Sequence, residues 1–272
     1  MTPRAEGARL LAAARAVPDF TPDITPVEEH GGVLVKREDS WSRSGASGAK
    51  ARAMFTAAEG AAGLITAGAR ISPQLERAAL VAAALGIPAR LHTGHGADTP
   101  ETLLATAAGA IVLRHRPARL SVIRARYRTD AEARAEAGWA CVPFGMDHPA
   151  YLTQVTKQAA HLPPAGFDRI VVPVGSGLTL AAILRGLEAT GREMPVLGVR
   201  VGGDPTAVLD RHAATWHGRV TLTASQTPFT TTAAGNRLGA LALDPHYEAK
   251  TLPYLRPGDL LWTVGIRASA LT

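Results

Sequence analysis

The sequence predicts an α/β protein with largely parallel sheets and helices on their faces. Three observations carry that reading. Short apolar runs alternate with longer alanine-rich or amphipathic ones along most of the 272 residues, which is the rhythm of repeated βαβ units. The short runs are continuously apolar, as strands covered on both faces require. The longer runs open on Ser or Thr followed by Pro and close at Gly, which are helix start and stop signals.

Taken in order, "GVLVKRED" at 32–39 reads as a strand ending in charge, and 49–60 as a helix. "GLIT" at 63–66 is a short buried strand that stops at Ala67-Gly68. "SPQLERAALVAAAL" at 72–85 is a helix with Ser72 as N-cap, Pro73 at the first helical position, Glu76 in the first turn and Gly86 beyond its end. Strand 87–94, helix 99–109, strand 110–113 and a helix from about 121 to 137 continue the pattern. Strand 139–144 and helix 149–160 follow. "RIVVPVGSG" runs a strand into a glycine turn, the helix 178–189 comes next, and 195–201 and 259–265 are further strands.

Bulk composition removes several function classes. Hydrophobic residues make up 46% and charged residues 19%, a globular balance that argues against disorder. The single cysteine, Cys141, excludes an internal disulfide framework and reads as an inert core thiol in a reducing compartment. No run reaches the roughly 18–20 apolar residues of a membrane span, and "MTPRAEGARL" lacks the apolar core of a signal peptide. A cytoplasmic protein without a membrane partner is expected. The net charge is +6, and "RHRPARLSVIRARYR" at 114–128 is its densest basic stretch. Its single tyrosine, Tyr127, does not interleave in the way a single-strand platform needs, so a solvated helix face is the plain reading and a polyanion the alternative. His92 and His95 lack a third ligand nearby, and no metal site is expected.

Only four residues are lysines: Lys36, Lys50, Lys157 and Lys250. Lys36 reads as part of a strand-end ion-pair cluster with Glu38 or Asp39. Lys50 stands in "SGASGAKARAM" at 44–54, at the mouth of an alanine-rich helix. A helix N-terminus already presents positive charge, so a cation there calls for an offsetting anion or a chemical task. The stretch is not a nucleotide P-loop, because Ala49 replaces the glycine before the lysine and Ala51 the magnesium-binding Ser or Thr.

"VVPVGSGLTLAAILRG" at 171–186 is the second informative stretch. A strand enters the turn Gly175-Ser176-Gly177 and leaves it as a helix. The amides of such a turn, at the positive end of a helix, form an anion site. Ser176 and Thr179 add hydroxyls. A dinucleotide fold wants a small residue at Leu180 and an acid ending the next strand, and Glu193 precedes that strand. A phosphate cup for a smaller cofactor and a plain structural turn both stay open. A lysine among small residues with a distant phosphate cup suggests pyridoxal 5'-phosphate, whose aldehyde condenses with a lysine amine. As an imine, Lys50 would no longer place an ammonium at the helix mouth.

The order of motifs resembles the fold type II pyridoxal-phosphate enzymes, the tryptophan synthase β-like group. It looks most like the branch of 1-aminocyclopropane-1-carboxylate deaminase and D-cysteine desulfhydrase. "ITPVEEHGGVLVKRED", "SGASGAKARAM", "TAGARISPQLERAALVAAALGIPARLH", "VPVGSGLTLAAILRG" and "LDPHYEAK" carry the resemblance over nearly the whole chain. It implies a small lobe at 49–159 inserted in a large lobe of 1–48 and 160–272, each with a largely parallel sheet, and the cofactor in the cleft between them. By the same resemblance Lys50 is the Schiff-base lysine, and Gly175, Ser176, Gly177, Leu178 and Thr179 hold the phosphate. Glu248 sits near the pyridine nitrogen, and Tyr247 near ring and substrate. Ser72 and Gln74 meet the substrate carboxylate, Ser72 also as a proton relay. A core tyrosine and a solvated carboxylate are the plain alternatives for Tyr247 and Glu248.

Departures from the branch bear on the substrate. The usual Ser-Asn-His/Gln at that helix start is Ser72-Pro73-Gln74. The terminal His-Thr-Gly-Gly-like stretch is "WTVGIRASA", and the chain is shorter than typical members. The resemblance implies a homodimeric deaminase or lyase acting on a small amino acid through a Lys50 Schiff base and a carbanion. Lys50 is then the leading base, with Ser72 and Tyr247 next. Three alternatives stand beside this: a phage-type decarboxylase or lyase tailoring an amino acid attached to a hypermodified DNA base, a non-catalytic binding protein on the same fold, and a nicotinamide oxidoreductase. Thr230, Thr231 and Thr232 are expected in a loop that could approach the substrate.

Overall fold

The computed structural model describes residues 1–271. The chain forms two compact units. Residues 1–21, 42–151 and 267 onward belong to the first, residues 22–41 and 152–266 to the second. Helix α1 (Pro3–Arg15) opens the first unit, and strands β1 (Val27–His30) and β2 (Val33–Lys36) lie in the second. The long return to the first unit carries β3 (Ser42–Arg43), β4 (Ala46–Ser47), α2 (Gly48–Ala58), β5 (Gly63–Ala67), α3 (Pro73–Leu85), β6 (Ala89–Gly94), α4 (Pro100–Ala107), β7 (Ile111–His115), α5 (Leu120–Ala135) and β8 (Trp139–Val142). After α6 (Pro149–Ala160), the second unit holds β9 (Arg169–Val174), α7 (Leu178–Ala189), β10 (Val196–Arg200), α8 (Thr206–His212), β11 (Val220–Ala224), β12 (Arg237–Leu238), β13 (Leu241–Ala242) and β14 (Asp259–Trp262).

In the first unit, four parallel strands run in the order β7-β6-β5-β8. Every residue of β5 is buried, in keeping with its continuous apolar sequence. Helix α5 covers one face by placing Ile123, Tyr127 and Ala131 on Ile65 and Ala67. The spacing of four is one stripe of a helix. Helix α3 starts where its sequence says: Ser72 Oγ accepts the Gln74 amide, and Gly86 closes the far end at φ 69°.

In the second unit, six strands run β1-β2-β14-β9-β10-β11. All neighbours are parallel except the edge strand β1, which returns antiparallel to β2. Val35, Leu261, Leu243 and Ala249 pack together in one core cluster. Trp262, on β14, is fully buried. Among the described residues, no helix is long and apolar enough to cross a membrane.

The units differ from the lobe boundaries expected at 48/49 and 159/160. Residues 1–21 and 267 onward sit in the first unit because α1 packs on α4 and Arg267 pairs with Glu101. Helix α1 itself was not read from the sequence, although Thr2-Pro3 with Glu6 is a helix start. Strand β11 was missed because "VTLTA" is half-exposed at the sheet edge and lacks the apolar run of its neighbours.

Candidate active site

The residues singled out in the sequence fall into one set in each unit. In the first unit, Lys50 is the third residue of α2. From Ala46 to Phe55 every residue is buried except Lys50, which is half-buried. The fully buried Ala49, Ala51 and Ala53 let neighbouring segments pack closely on the sides of the helix that flank Lys50. A half-accessible amine in a buried wall of small residues can receive a flat ligand and attack it as a nucleophile.

Gln74 orients that amine. Its side chain is buried, and its Nε2 donates to Thr66 Oγ1 (2.9 Å), Pro143 O (2.9 Å) and Ala67 O (3.3 Å). The Thr66 hydroxyl already donates to Val142 O, so it accepts here. Three acceptors on one side fix the amide: NH2 faces them, and Oε1 faces Lys50 Nζ at 3.4 Å. Gln74 thus directs its donors inward and its carbonyl oxygen at the lysine. Ser72, half-buried, keeps its hydroxyl at the start of α3 beside the first-turn amides.

Behind Ser72 lies a buried ionic cluster. Arg267 Nη1 donates to Glu101 Oε1 (2.6 Å) and to Ile71 O (3.2 Å), the carbonyl just before Ser72. Glu76 Oε1 accepts the Ala268 amide (3.1 Å). Burial pushes Glu76 up to about 7; Arg77 opposes that shift and Glu101 reinforces it. The sequence reading missed Arg267 and Glu101; the lone arginine in the otherwise uncharged "WTVGIRASA" was the available signal.

In the second unit, β9 enters the turn Gly175-Ser176-Gly177, and α7 begins at Leu178. Gly177 is the N-cap at φ 96°, where a Cβ would also stand 2.7 Å from Pro205 Cβ, so only glycine fits. The N-cap, being glycine, brings no side chain of its own to the start of α7. Its first intrahelical bond is Ala181 N to Gly177 O, which leaves the amides of Leu178, Thr179 and Leu180 outside the ladder. Tyr247 Oη accepts the Gly175 amide at 2.8 Å, so Tyr247 is fastened to the cup itself. Thr179 is buried and Ser176 exposed. This arrangement suits an anion such as phosphate.

Glu248 completes the second set. It is 1% exposed. Its Oε1 accepts the amides of Val264 (2.7 Å) and Gly265 (3.1 Å), just beyond β14. Its Oε2 is buried with no partner among the described residues. Burial, reinforced by Asp244, pushes the carboxyl up to about 8 against the pull of those two amides. A solvated helix carboxylate is therefore excluded.

The other residues singled out in the sequence take the following places. Lys36 is buried and donates to Thr25 O (2.5 Å), while Asp39 pairs with Arg37. His92 faces His115 (2.9 Å) and Asp130 (3.0 Å). Cys141 is half-buried rather than fully in the core, and burial raises its thiol. Thr230, Thr231 and Thr232 are exposed in a loop. The exposed arginines 119, 124, 126 and 128 lie at the start of α5 and along it.

A family model described as "Pyridoxal-phosphate dependent enzyme" matches residues 25–251. Among solved structures, an ACC deaminase homologue superposes with a TM-score of 0.74 at 23% identity, over 99% of this chain and 97% of that one. A threonine deaminase from T.th. gives 0.60 at 18% identity, over 95% and 97%. The apo form of Escherichia coli diaminopropionate ammonia lyase gives 0.62 at 13% identity, over 96% and 87%. Likeness at these identities is likeness of fold. No curated protein sequence matches the chain.

Proposed function

Because the chain belongs to the pyridoxal-phosphate-dependent enzymes, with their fold type II architecture of helix-flanked parallel sheets, we propose that it is a deaminase or lyase of a small amino acid working through Lys50. The residues present fit the cofactor. Glu248 Oε2 is a buried acceptor in want of a donor, which a protonated ring nitrogen supplies. The glycine turn and the positive end of α7 suit its phosphate. When bound, pyridoxal phosphate supplies an aldehyde for amines and a ring that draws negative charge from an adjacent carbon.

The chain's own groups do the rest. Gln74 Oε1 aims the Lys50 amine, which would serve as the nucleophile toward the cofactor aldehyde and, as a free amine, as the base that takes a substrate proton. Ser72, at the positive end of α3, receives a substrate carboxylate and is the second proton carrier. Tyr247 keeps the cup closed through Gly175. Glu248 would keep a ring nitrogen protonated there, which would strengthen its pull on electrons.

The observation that carries this reading is Lys50, the one accessible residue in the buried run 46–55. Borohydride treatment followed by peptide mass mapping tests it. A yellow absorbance band that borohydride removes, with a pyridoxyl adduct on Lys50, is expected. A protein that takes up the cofactor without an adduct, equally well after Lys50→Ala, is a binding protein on this fold and overturns the proposal.

A second reading has its own observation. The exposed arginines of α5 and the net charge of +6 suit an amino acid carried on DNA, as a base-tailoring enzyme would meet it. Retention on DNA that falls steeply with salt supports this reading, and retention independent of salt counts against it.

A further inference from the structure

A cavity in the second unit stands outside the groups assigned above. It lies at the carboxyl ends of β10 and β11, the side on which parallel sheets take ligands. Its volume is about 280 Å³, and Arg200, Gly202, Gly203, Ser225 and Phe229 are among its lining residues. Pockets that enclose whole small ligands span roughly 300–1,000 Å³, so this one suits a single group of a larger molecule.

It adjoins the phosphate cup. A Cβ on Gly202 would stand 2.9 Å from Gly175 O and 3.0 Å from Gly175 Cα, so the two loops meet backbone to backbone. Its far wall is rigid. The buried Lys250 donates to Pro228 O (2.7 Å) and Phe229 O (3.2 Å), and Ser225 Oγ both accepts the Thr227 amide and donates to Thr227 O, each at 3.1 Å. Phe229 is left 45% exposed, an apolar surface beside a charge.

The charge is Arg200. Its Nε is buried without an acceptor, and Arg200 has no ion pair among the described residues. The nearby carboxylate, Asp204, feels the Arg200 charge without forming an ion pair with it, and its Oδ1 accepts the amide (3.0 Å) and hydroxyl (2.6 Å) of Thr206. A buried guanidinium N–H without a partner is costly unless a ligand supplies the acceptor, and guanidinium matches the oxygens of carboxylate and phosphoryl groups.

We infer that this cavity is a subsite for an anionic group, carboxylate or phosphoryl, at the distal end of the substrate, with Arg200 as the specificity-determining residue. The inference rests on the amino-acid chemistry proposed above. Calorimetric titration of the cofactor-loaded protein tests it, with O-phospho-L-serine, L-serine and a short single-stranded oligonucleotide as probes. O-phospho-L-serine binds about tenfold or more tightly than L-serine. Arg200→Met removes that preference and Arg200→Lys restores part of it, while L-serine binding stays the same. If instead the oligonucleotide alone depends on Arg200, the anion is a nucleic-acid phosphate. Binding of both anions unchanged in Arg200→Met, with the protein folded by thermal midpoint, overturns the subsite. Absence of the Lys50 adduct in the same preparation overturns the function and leaves the anion measurement standing.

Discussion

Replacing Glu248 with Gln should change how the cofactor-free protein responds to pH. In the folded protein burial, with Asp244 beside it, pushes this carboxyl up to about 8 from an ordinary 4.5, outweighing its two amide donors. Between those values the folded state keeps a proton that the unfolded chain has released. Stability therefore falls as pH rises through this window, at up to about 1.4 kcal/mol per pH unit for one proton. Over the roughly three units between pH 5 and 8 this comes to about 4 kcal/mol. Gln cannot titrate, so the variant escapes that loss. Glu76, raised to about 7, adds a slope of the same sign below that pH, but it is common to both proteins and cancels in the difference. Urea denaturation from pH 5 to 9 measures it, followed by tryptophan emission to which the buried Trp262 contributes. The variant should gain on wild type by about 4 kcal/mol between pH 5 and pH 9. Saturating pyridoxal phosphate should flatten the wild-type slope, since a protonated ring nitrogen keeps the carboxylate ionised. A difference between the two proteins that does not move with pH would refute a proton-holding Glu248.

Two further substitutions probe the supports of each set. Tyr247→Phe strips the Gly175 amide of its acceptor; one neutral hydrogen bond is worth about 0.5–1.5 kcal/mol, so cofactor affinity should fall about two- to tenfold with Lys50 still forming its adduct, as a fluorescence titration would show. Arg267→Met leaves Glu101 buried without its Arg267 partner, at a cost of about 3–5 kcal/mol. Arg267→Lys should recover much of that in the same urea experiment, and full stability in Arg267→Met would show that the cluster does not hold the start of α3.

What the sequence disclosed and what it hid follow a physical division. The interior of α7 was legible to the residue, because 178–189 is bounded by a glycine turn and carries an unbroken apolar face. The helix start at Ser72 was legible because capping is local chemistry. Lys50 and the glycine cup showed through residue type and spacing. The partners of Gln74 did not, because Thr66, Ala67 and Pro143 reach it from a strand and a loop elsewhere along the chain. Nor did Arg267, whose carboxylate partner lies 166 residues earlier. Long-range pairings leave no periodic trace. The same holds for Glu248, where sequence offered a carboxylate but only the fold shows one oxygen satisfied and the other alone.

The chain leaves the first unit after residue 21, returns at 42, leaves again after 151 and comes back at 267. That itinerary sets an order in time. During synthesis, Glu101 emerges long before Arg267, the arginine that pairs with it. Until residue 267 has been made, the segment 42–151 holds two acidic side chains destined for burial and no counter-charge from Arg267. The first unit therefore gains its lock only after the second has been synthesised almost in full. A ribosome stalled after the whole segment 42–151 has emerged but before residue 267 is made should present a first unit that proteases still cut near Ser72, and synthesis through Arg267 should close that site.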